Sequence, residues 1–140
     1  MFLRENQLDV NTYLSLRRSV QWRPLTKEQA EKALKGSLLT VTVHDDNGQA
    51  VGMGRLVGDG AVICYIQDLI VLPSYQGKKA GQLIMERLIA YVRDIQLPHT
   101  QMMLDLMCAK GREDFYKKYG FISRPTDNLG PGMIHYIDKE

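Results

Sequence analysis

The segment from Tyr65 to Tyr91 constrains the fold of this 140-residue chain more than any other segment. Its first part is rich in apolar residues, from Ile66 to Leu72, and predicts a buried strand. Pro73 ends that strand, because proline has no N–H to donate to a neighbouring strand. A basic loop that contains glycine follows, and apolar residues then recur at helical spacing as far as Tyr91. The segment therefore predicts a strand, a short loop and a helix in direct succession.

The loop in this segment has the properties of an anion site. It runs from Gln76 to Gln82 with the sequence QGKKAGQ. The first N–H groups of a helix have no acceptor within the helix, and the helix dipole adds partial positive charge at the same end. Lys78 and Lys79 contribute formal positive charge. We therefore expect a phosphate or pyrophosphate to be held by the N–H groups from Gly77 to Gln82.

Two common phosphate-binding motifs do not fit this loop. The P-loop pattern G-x-x-x-x-G-K-[S/T] is absent, which argues against a nucleoside-triphosphate site. The dinucleotide pattern G-x-G-x-x-G is absent as well, and no acidic residue follows at the position of a ribose ligand. The phosphate ligand must therefore belong to another class.

Composition and charge narrow the class of protein further. At this length we expect one domain over residues 1–140, and a hydrophobic content of 44% with 24% charged residues is typical of a globular protein. The net charge of +2 is too small to indicate a nucleic-acid partner. No apolar run is long enough for a membrane span, and the N-terminus lacks a signal-peptide pattern. The two cysteines form neither a disulfide framework nor a metal-ligand spacing, so we expect a cytoplasmic protein without a metal site or a membrane partner.

Periodicity along the rest of the chain predicts an α+β fold with layers of helix on one mixed, mostly antiparallel sheet. Thr26 followed by Gln29 predicts the N-cap of a helix that runs to about Lys35. Asn47-Gly48 predicts a hairpin turn. Further helices are expected at 11–20 and 111–118. Strands are expected at 38–44, 50–57, 61–71 and 102–106. Two more strands are expected near the end of the chain, one beginning at 120–122 and one at 133–137.

Two motifs resemble the GNAT superfamily of N-acetyltransferases. The loop is similar to the acetyl-CoA loop of that family, [Q/R]-x-x-G-x-[G/A], with Gln76 at the first position and Gly81 at the last. Lys79 stands where the family usually has its first glycine. The second motif, FYKKYGF from Phe115 to Phe121, is similar to the family signature [F/L]-Y-x-x-x-G-F. The resemblance covers roughly the whole chain, and the motifs occur in the family's order.

The resemblance implies a GNAT acyl-CoA N-acyltransferase fold and a single N-acetyltransferase domain over residues 1–140. It implies transfer of an acetyl group from acetyl-CoA to a primary amine, either a small molecule or a peptide, by direct attack. It also implies a sheet that splays beside the loop-bearing strand, and a homodimer is common in the family. The coenzyme-binding residues that it implies are Leu69, Ile70 and Val71 on the strand and Gln76, Gly77, Lys78, Lys79, Ala80, Gly81 and Gln82 in the loop.

The alternative function is a CoA-binding regulatory module of the same fold that has lost turnover. Lys79 departs from the family motif, and Ala109 stands where many family members carry an asparagine that contacts the coenzyme.

Two residues are candidates for catalysis. The resemblance implies that Tyr116 lies near the thioester sulfur, where its hydroxyl would protonate or hydrogen-bond the leaving thiolate, and a packing role is the alternative. Asp68 is a candidate base for the attacking amine, but it could equally pair with Arg55 of the neighbouring strand. A water-mediated route without a dedicated base is a third possibility. Strand alternation predicts that Asp68 shares a face of the sheet with Ile66 and Ile70.

Overall fold

The computed structural model describes residues 1–140, which divide into two compact units, Met1–Leu106 and Met107–Glu140. The first unit holds five strands and three of the four α-helices. The elements in chain order are β1 (Phe2–Glu5), α1 (Val10–Ser19), α2 (Lys27–Lys35), β2 (Leu39–His44), β3 (Ala50–Gly58), β4 (Ile63–Val71), a 3-10 turn (Pro73–Tyr75), α3 (Ala80–Ile95), β5 (Met103–Leu106) and α4 (Glu113–Lys117).

The strands form one mixed sheet in the order β1-β2-β3-β4-β5. The first three junctions are antiparallel, and β4 pairs with β5 in parallel. This confirms the predicted α+β class with a mostly antiparallel sheet. The short strand β1, which the sequence pattern did not predict, extends the sheet by pairing with β2 from Phe2 opposite His44 onward.

Helices cover both faces of the sheet in the first unit. On one face α3 approaches β3 so closely that a Cβ added to Gly54 would overlap Ile84 Cγ2 and lie 3.0 Å from Leu88 Cδ1. Glycine at this position therefore lets the helix lie directly on the strand. On the other face α1 and α2 pack on β3 and β4 through a buried cluster. The members of that cluster are Tyr13, Leu16, Ala30, Met53 and Ile70.

The second unit contains α4 and an extended C-terminal segment. The strands predicted from 120–122 onward and at 133–137 are wrong, because residues 118–140 form neither helix nor strand. The alternation of apolar residues in the last segment does predict a strand locally. Met133 and Ile137 are nevertheless 86% and 83% exposed, so no neighbouring strand covers these side chains.

Candidate functional site

The loop between β4 and α3 turns through two residues with left-handed backbone. Gly77 has φ +80° and Lys79, the N-cap of α3, has φ +71°. Glycine adopts this conformation without steric cost, whereas a residue with a Cβ pays roughly 1–2 kcal/mol. The Lys79 side chain is exposed and does not cap the helix. Lys79 thus has, at a cost in strain, the left-handed backbone conformation that a glycine at this position would adopt freely.

The start of α3 presents a row of unpaired N–H groups. The first N–H that bonds within the helix is that of Leu83, which donates to the Lys79 carbonyl at 3.1 Å. The N–H groups of Lys79, Ala80, Gly81 and Gln82 have no acceptor in the chain. No acidic side chain lies in the first turn to compete for them. The positive end of the dipole of this sixteen-residue helix lies at the same place. The ligand class that suits the loop is therefore an anion with several oxygens.

One edge of β4 is open immediately before the loop. β4 pairs with β3 as far as Val71, but with β5 only over its first four residues. The Leu72 N–H donates to the Val51 carbonyl at 2.9 Å. Because hydrogen-bonded pairs alternate along an antiparallel ladder, Leu69 and Val71 direct their N–H and C=O groups away from β3, and Ile70 uses its own in the ladder. The sheet therefore opens beside the loop-bearing strand, as the family resemblance implies.

Side-chain hydrogen bonds fix the loop to the sheet. Gln76 Nε2 donates to the Val71 carbonyl at 3.3 Å, which joins the first motif residue to the end of β4. Tyr75 Oη donates to Asp45 Oδ2 at 3.1 Å, and Lys78 Nζ lies 5.1 Å from the centre of the Tyr75 ring. The hydrogen bond to Asp45 raises the pKa of Tyr75 above its usual value. The loop is therefore held at its β4 end, and Tyr75 joins that end to the β2–β3 hairpin.

A β-bulge at Gln67 interrupts β4 in front of the open edge. Arg55 of β3 lies opposite Asp68, whereas its neighbour Leu56 lies opposite Ile66, so Gln67 has no partner. Asp68 consequently shares a face with Arg55, and Ile66 lies on the opposite face with Leu56. The prediction that Ile66 and Asp68 share a face is wrong, because the extra residue shifts the alternation by one position.

Asp68 is fully buried and accepts hydrogen bonds from three side chains. Tyr13 Oη donates to Oδ2 at 2.6 Å, Arg55 Nε donates to Oδ2 at 2.7 Å, and Arg17 Nη1 donates to Oδ1 at 3.0 Å. The guanidinium of Arg17 also lies 5.3 Å from the ring of Trp22. Burial, together with the hydrogen bond to Asp68, raises the pKa of Tyr13 to about 12. The network joins α1 to β3 and β4.

This environment favours the ion-pair interpretation of Asp68. The pairing with Arg55 is present, and the Arg17 guanidinium compensates the same carboxylate. A general base needs an oxygen that can reach the substrate proton directly or through one water. Both oxygens of Asp68 already have donors, so a catalytic role for this residue stays a prediction that the variants described below test.

Tyr116 lies on α4 in the second unit. The rings of Phe115 and Phe121 meet it edge to face, with centroids 5.1 and 5.9 Å away. Burial, with a smaller contribution from Cys108, raises the pKa of Tyr116 to about 12. Its hydroxyl has no hydrogen-bond partner in the chain. The phenol is thus a protonated donor at neutral pH, and its role at a thioester stays a prediction.

Asp105 is a half-buried carboxylate that the sequence analysis did not single out. It lies on β5 between Leu104 and Leu106, and its Oδ1 is buried without a hydrogen-bond partner. Burial raises the pKa of this carboxyl above its usual value. A lone charged residue inside a short apolar strand is the sequence signal that could have indicated it.

Two further properties of the structure bear on the kind of site. The chain contains no group of three or more His, Cys, Asp or Glu side chains arranged to hold a metal ion. None of its helices is long and apolar enough to cross a membrane.

The mixed sheet opens after a bulge and is followed by a helix with unpaired N–H groups. This arrangement defines an acyltransferase-type fold with a loop whose chemistry suits an anion. The family model of the acetyltransferase (GNAT) domain matches residues 37–123, and the chain belongs to this family. The recognition of the GNAT family from the sequence is therefore confirmed.

Solved structures resemble the whole chain. One is a probable acetyltransferase from meticillin-resistant Staphylococcus aureus, 34% identical with a TM-score of 0.80, where the match covers 99% of this chain and 100% of that one. Another is a GNAT-family acetyltransferase from Streptococcus pneumoniae, 30% identical with a TM-score of 0.79, covering 99% and 98% of the two chains.

Among curated relatives, the uncharacterised N-acetyltransferase ycf52 of Pyropia yezoensis is 31% identical over 117 residues. That match covers 80% of this chain and 64% of the relative, so the chain spans a little under two thirds of that protein's length.

Proposed function

We propose that this protein transfers the acetyl group of acetyl-CoA to a primary amine by direct attack of the amine on the thioester. The observation that carries the proposal is the row of unpaired N–H groups at the start of α3, directly after the open edge of β4. The first feature suits an anionic pyrophosphate, and the second suits an extended chain that contains amides. Coenzyme A joins these two chemical groups in one molecule.

In this proposal the loop and β4 divide the coenzyme between them. The pyrophosphate accepts hydrogen bonds from the loop N–H groups, with charge from the two lysines. The pantetheine amides pair with the outward N–H of Val71 and the outward C=O of Leu69, while Ile70 anchors β4 in the sheet and core. The loop residues assigned to the pyrophosphate are Gln76, Gly77, Lys78, Lys79, Ala80, Gly81 and Gln82.

The chemical step needs a hydrogen-bond donor where negative charge develops. As the amine attacks, the thioester carbonyl becomes an oxyanion, and the N–H of Leu69, further from the loop than Val71, is a donor that faces the open edge. Direct attack requires no acyl-enzyme, so neither Cys64 nor Cys108 is assigned a covalent role.

Tyr116 assists departure of the thiolate by hydrogen bonding. The pKa of Tyr116, at about 12, lies three to four units above a thiol pKa of about 8.5. At about 1.36 kcal/mol per unit, complete proton transfer from Tyr116 would cost roughly 5 kcal/mol. A hydrogen bond donated to the sulfur stabilises the developing charge without that cost.

Calorimetric titration with acetyl-CoA, CoA and desulfo-CoA, followed by a screen of primary amines, tests the proposal. We expect all three coenzyme forms to bind at micromolar concentration, because loop and strand contact parts that they share. Acetylated amine should then appear with free CoA in equal amounts. No binding would refute the assignment of the loop.

Tight binding without turnover across the amine panel would instead support the CoA-binding module. The identity of the acceptor as a small amine or a peptide amine, a homodimer and a cytoplasmic location all stay predictions from the sequence.

A further inference from the structure

Asp105 lies beside the point where β4 and β5 separate. It pairs with Tyr65, and the next pair along the strands is the last. Tyr65 lies opposite Val57, which is two residues beyond Arg55 on β3. Because side chains two apart in a strand share a face, Asp105 lies on the same face as Asp68, the face on which α1 packs.

The two carboxylates on this face differ in their hydrogen bonding. Asp68 accepts from three donors, whereas Oδ1 of Asp105 is buried without any. A buried polar atom without a partner costs free energy, so such an atom indicates either strain or a ligand that supplies the partner. Burial raises the pKa of the Asp105 carboxyl, which brings it closer to the range in which a general base works at neutral pH.

The position of Asp105 gives it access to the open edge from the side opposite α3. Asp105 is level with Tyr65, and the open edge of β4 begins after Ile66. The first position of that edge is therefore two residues, or about 7 Å along the strand, from the level of Asp105. The N–H of Leu69 lies one spacing further, at about 10 Å, and a side chain with two waters spans that distance. The anion-binding loop belongs to α3, which packs on the other face, so an acceptor that reaches the edge from the α1 face does not compete with the coenzyme.

We propose that Asp105 is the general base that accepts, across one or two waters, a proton from the acceptor's ammonium group. The inference rests on the proposed function and adds the residue for one of its steps. The N–H bond of the ammonium breaks and the proton passes to Oδ1, which leaves a neutral amine and a neutral carboxylic acid. The amine lone pair forms the C–N bond, the C–S bond breaks, and the second amine proton ends on the thiolate of CoA.

Acetyl transfer to a matched pair of amines tests this inference. Ethylamine is an ammonium ion at neutral pH, whereas 2,2,2-trifluoroethylamine is largely neutral and needs no base before attack. For ethylamine we expect Asp105→Asn to lower kcat/KM by about 100-fold or more, and Asp105→Glu to restore part of it. For trifluoroethylamine the loss should be under about tenfold, since only the earlier proton transfer differs.

Controls separate this role from a structural one. Asp46→Asn makes the same chemical change at a carboxylate that is 99% exposed, and it should leave both rates unchanged. Acetyl-CoA affinity of Asp105→Asn should match the wild type and its urea midpoint should be no lower, because Oδ1 has no hydrogen-bond partner to lose and a desolvated charge is removed. If that variant does not fold, Asp105→Ser is measured in its place.

Each remaining outcome overturns the inference. Equal losses for both amines would assign Asp105 a structural role, and equal rates in variant and wild type would exclude it as the base while acetyl transfer itself stands. If the wild type binds acetyl-CoA but acetylates neither amine, the inference and the proposed transfer to alkylamines both fail.

Discussion

Replacing Asp68 with asparagine should destabilise the fold rather than only slow a proton transfer. Its carboxylate is fully buried and holds two guanidinium groups, with Arg17 and Arg55 side chains only 11% and 9% exposed. Asparagine removes the negative charge but leaves both positive charges where they are. Removing one partner from a buried ionic network typically costs about 3–5 kcal/mol, because the remaining charges stay desolvated.

This loss converts into a large shift of the melting temperature. Globular proteins gain about 2.1 cal/mol/K of unfolding entropy per residue, which gives about 0.3 kcal/mol/K for a chain of this length. A loss of about 3–5 kcal/mol therefore lowers Tm by about 10–17 °C. Tyr13→Phe removes one neutral donor at 2.6 Å and leaves the charges balanced, so its cost should be smaller, about 1–2 kcal/mol.

Thermal and urea unfolding measure both variants against the wild type, with Asp46→Asn as the surface control. Activity is measured well below the lowered Tm, so that the folded fraction is the same in every sample. A Tm for Asp68→Asn within about 3 °C of the wild type, together with loss of acetyl transfer, would refute the structural assignment. Asp68 would then be the base, and the assignment of that role to Asp105 would fall.

Three further predictions concern the packing of α3, the loop and the tyrosine. Gly54→Ala should cost about 1–3 kcal/mol in urea unfolding, because its Cβ overlaps Ile84. When Ile84→Ala is combined with Gly54→Ala, the loss of stability should be smaller than the sum of the two single losses, and strict additivity would contradict the overlap. The control Gly130→Ala, with nothing within 4 Å of its Cβ, should have little effect. Lys79→Gly should raise the free energy of unfolding by up to about 1 kcal/mol, because glycine relieves the strain of the left-handed backbone. Lys79→Ala keeps a Cβ and should bring no such gain. A gain in both variants would argue against strain as the cause. Tyr116→Phe should lower kcat by at least about tenfold without changing acetyl-CoA affinity, and a change in affinity alone would count against thiolate assistance.

Local sequence signals predicted most of the elements that build the site. Thr26 does accept from the Gln29 N–H at 3.0 Å, as its N-cap pattern indicates. The strand and helix on either side of the loop occur where the apolar periodicity places them. These features depend on residues within a few positions of one another, so the sequence contains the information directly.

The failures involve partners that are distant in the chain. The segment 133–137 has the alternation of a strand, but a strand needs a neighbour for its hydrogen bonds, and periodicity says nothing about whether one exists. The bulge at Gln67 depends in the same way on the register of β3 against β4. That single inserted residue also decides which face Asp68 occupies, which the alternation alone assigned together with Ile66.

The identity of the candidate base also depends on residues that are distant in the chain. Asp68 stood out because it lies in the strand that precedes the loop, and its three donors come from residues up to 55 positions away. The sequence pattern does not indicate Asp105, because no residue near it in the chain belongs to a catalytic motif. Which of the two carboxylates has a buried oxygen without a hydrogen-bond partner depends on the tertiary structure alone.

The open edge of β4 has a consequence for handling the protein. The outward N–H and C=O groups of Leu69 and the outward N–H of Val71, without a neighbouring strand, form a template on which another extended chain can add. A ligand that lies along this edge satisfies the same groups and blocks such growth. Empty protein should therefore form sheet-rich aggregates on storage sooner than protein kept with a saturating edge ligand, even at equal Tm.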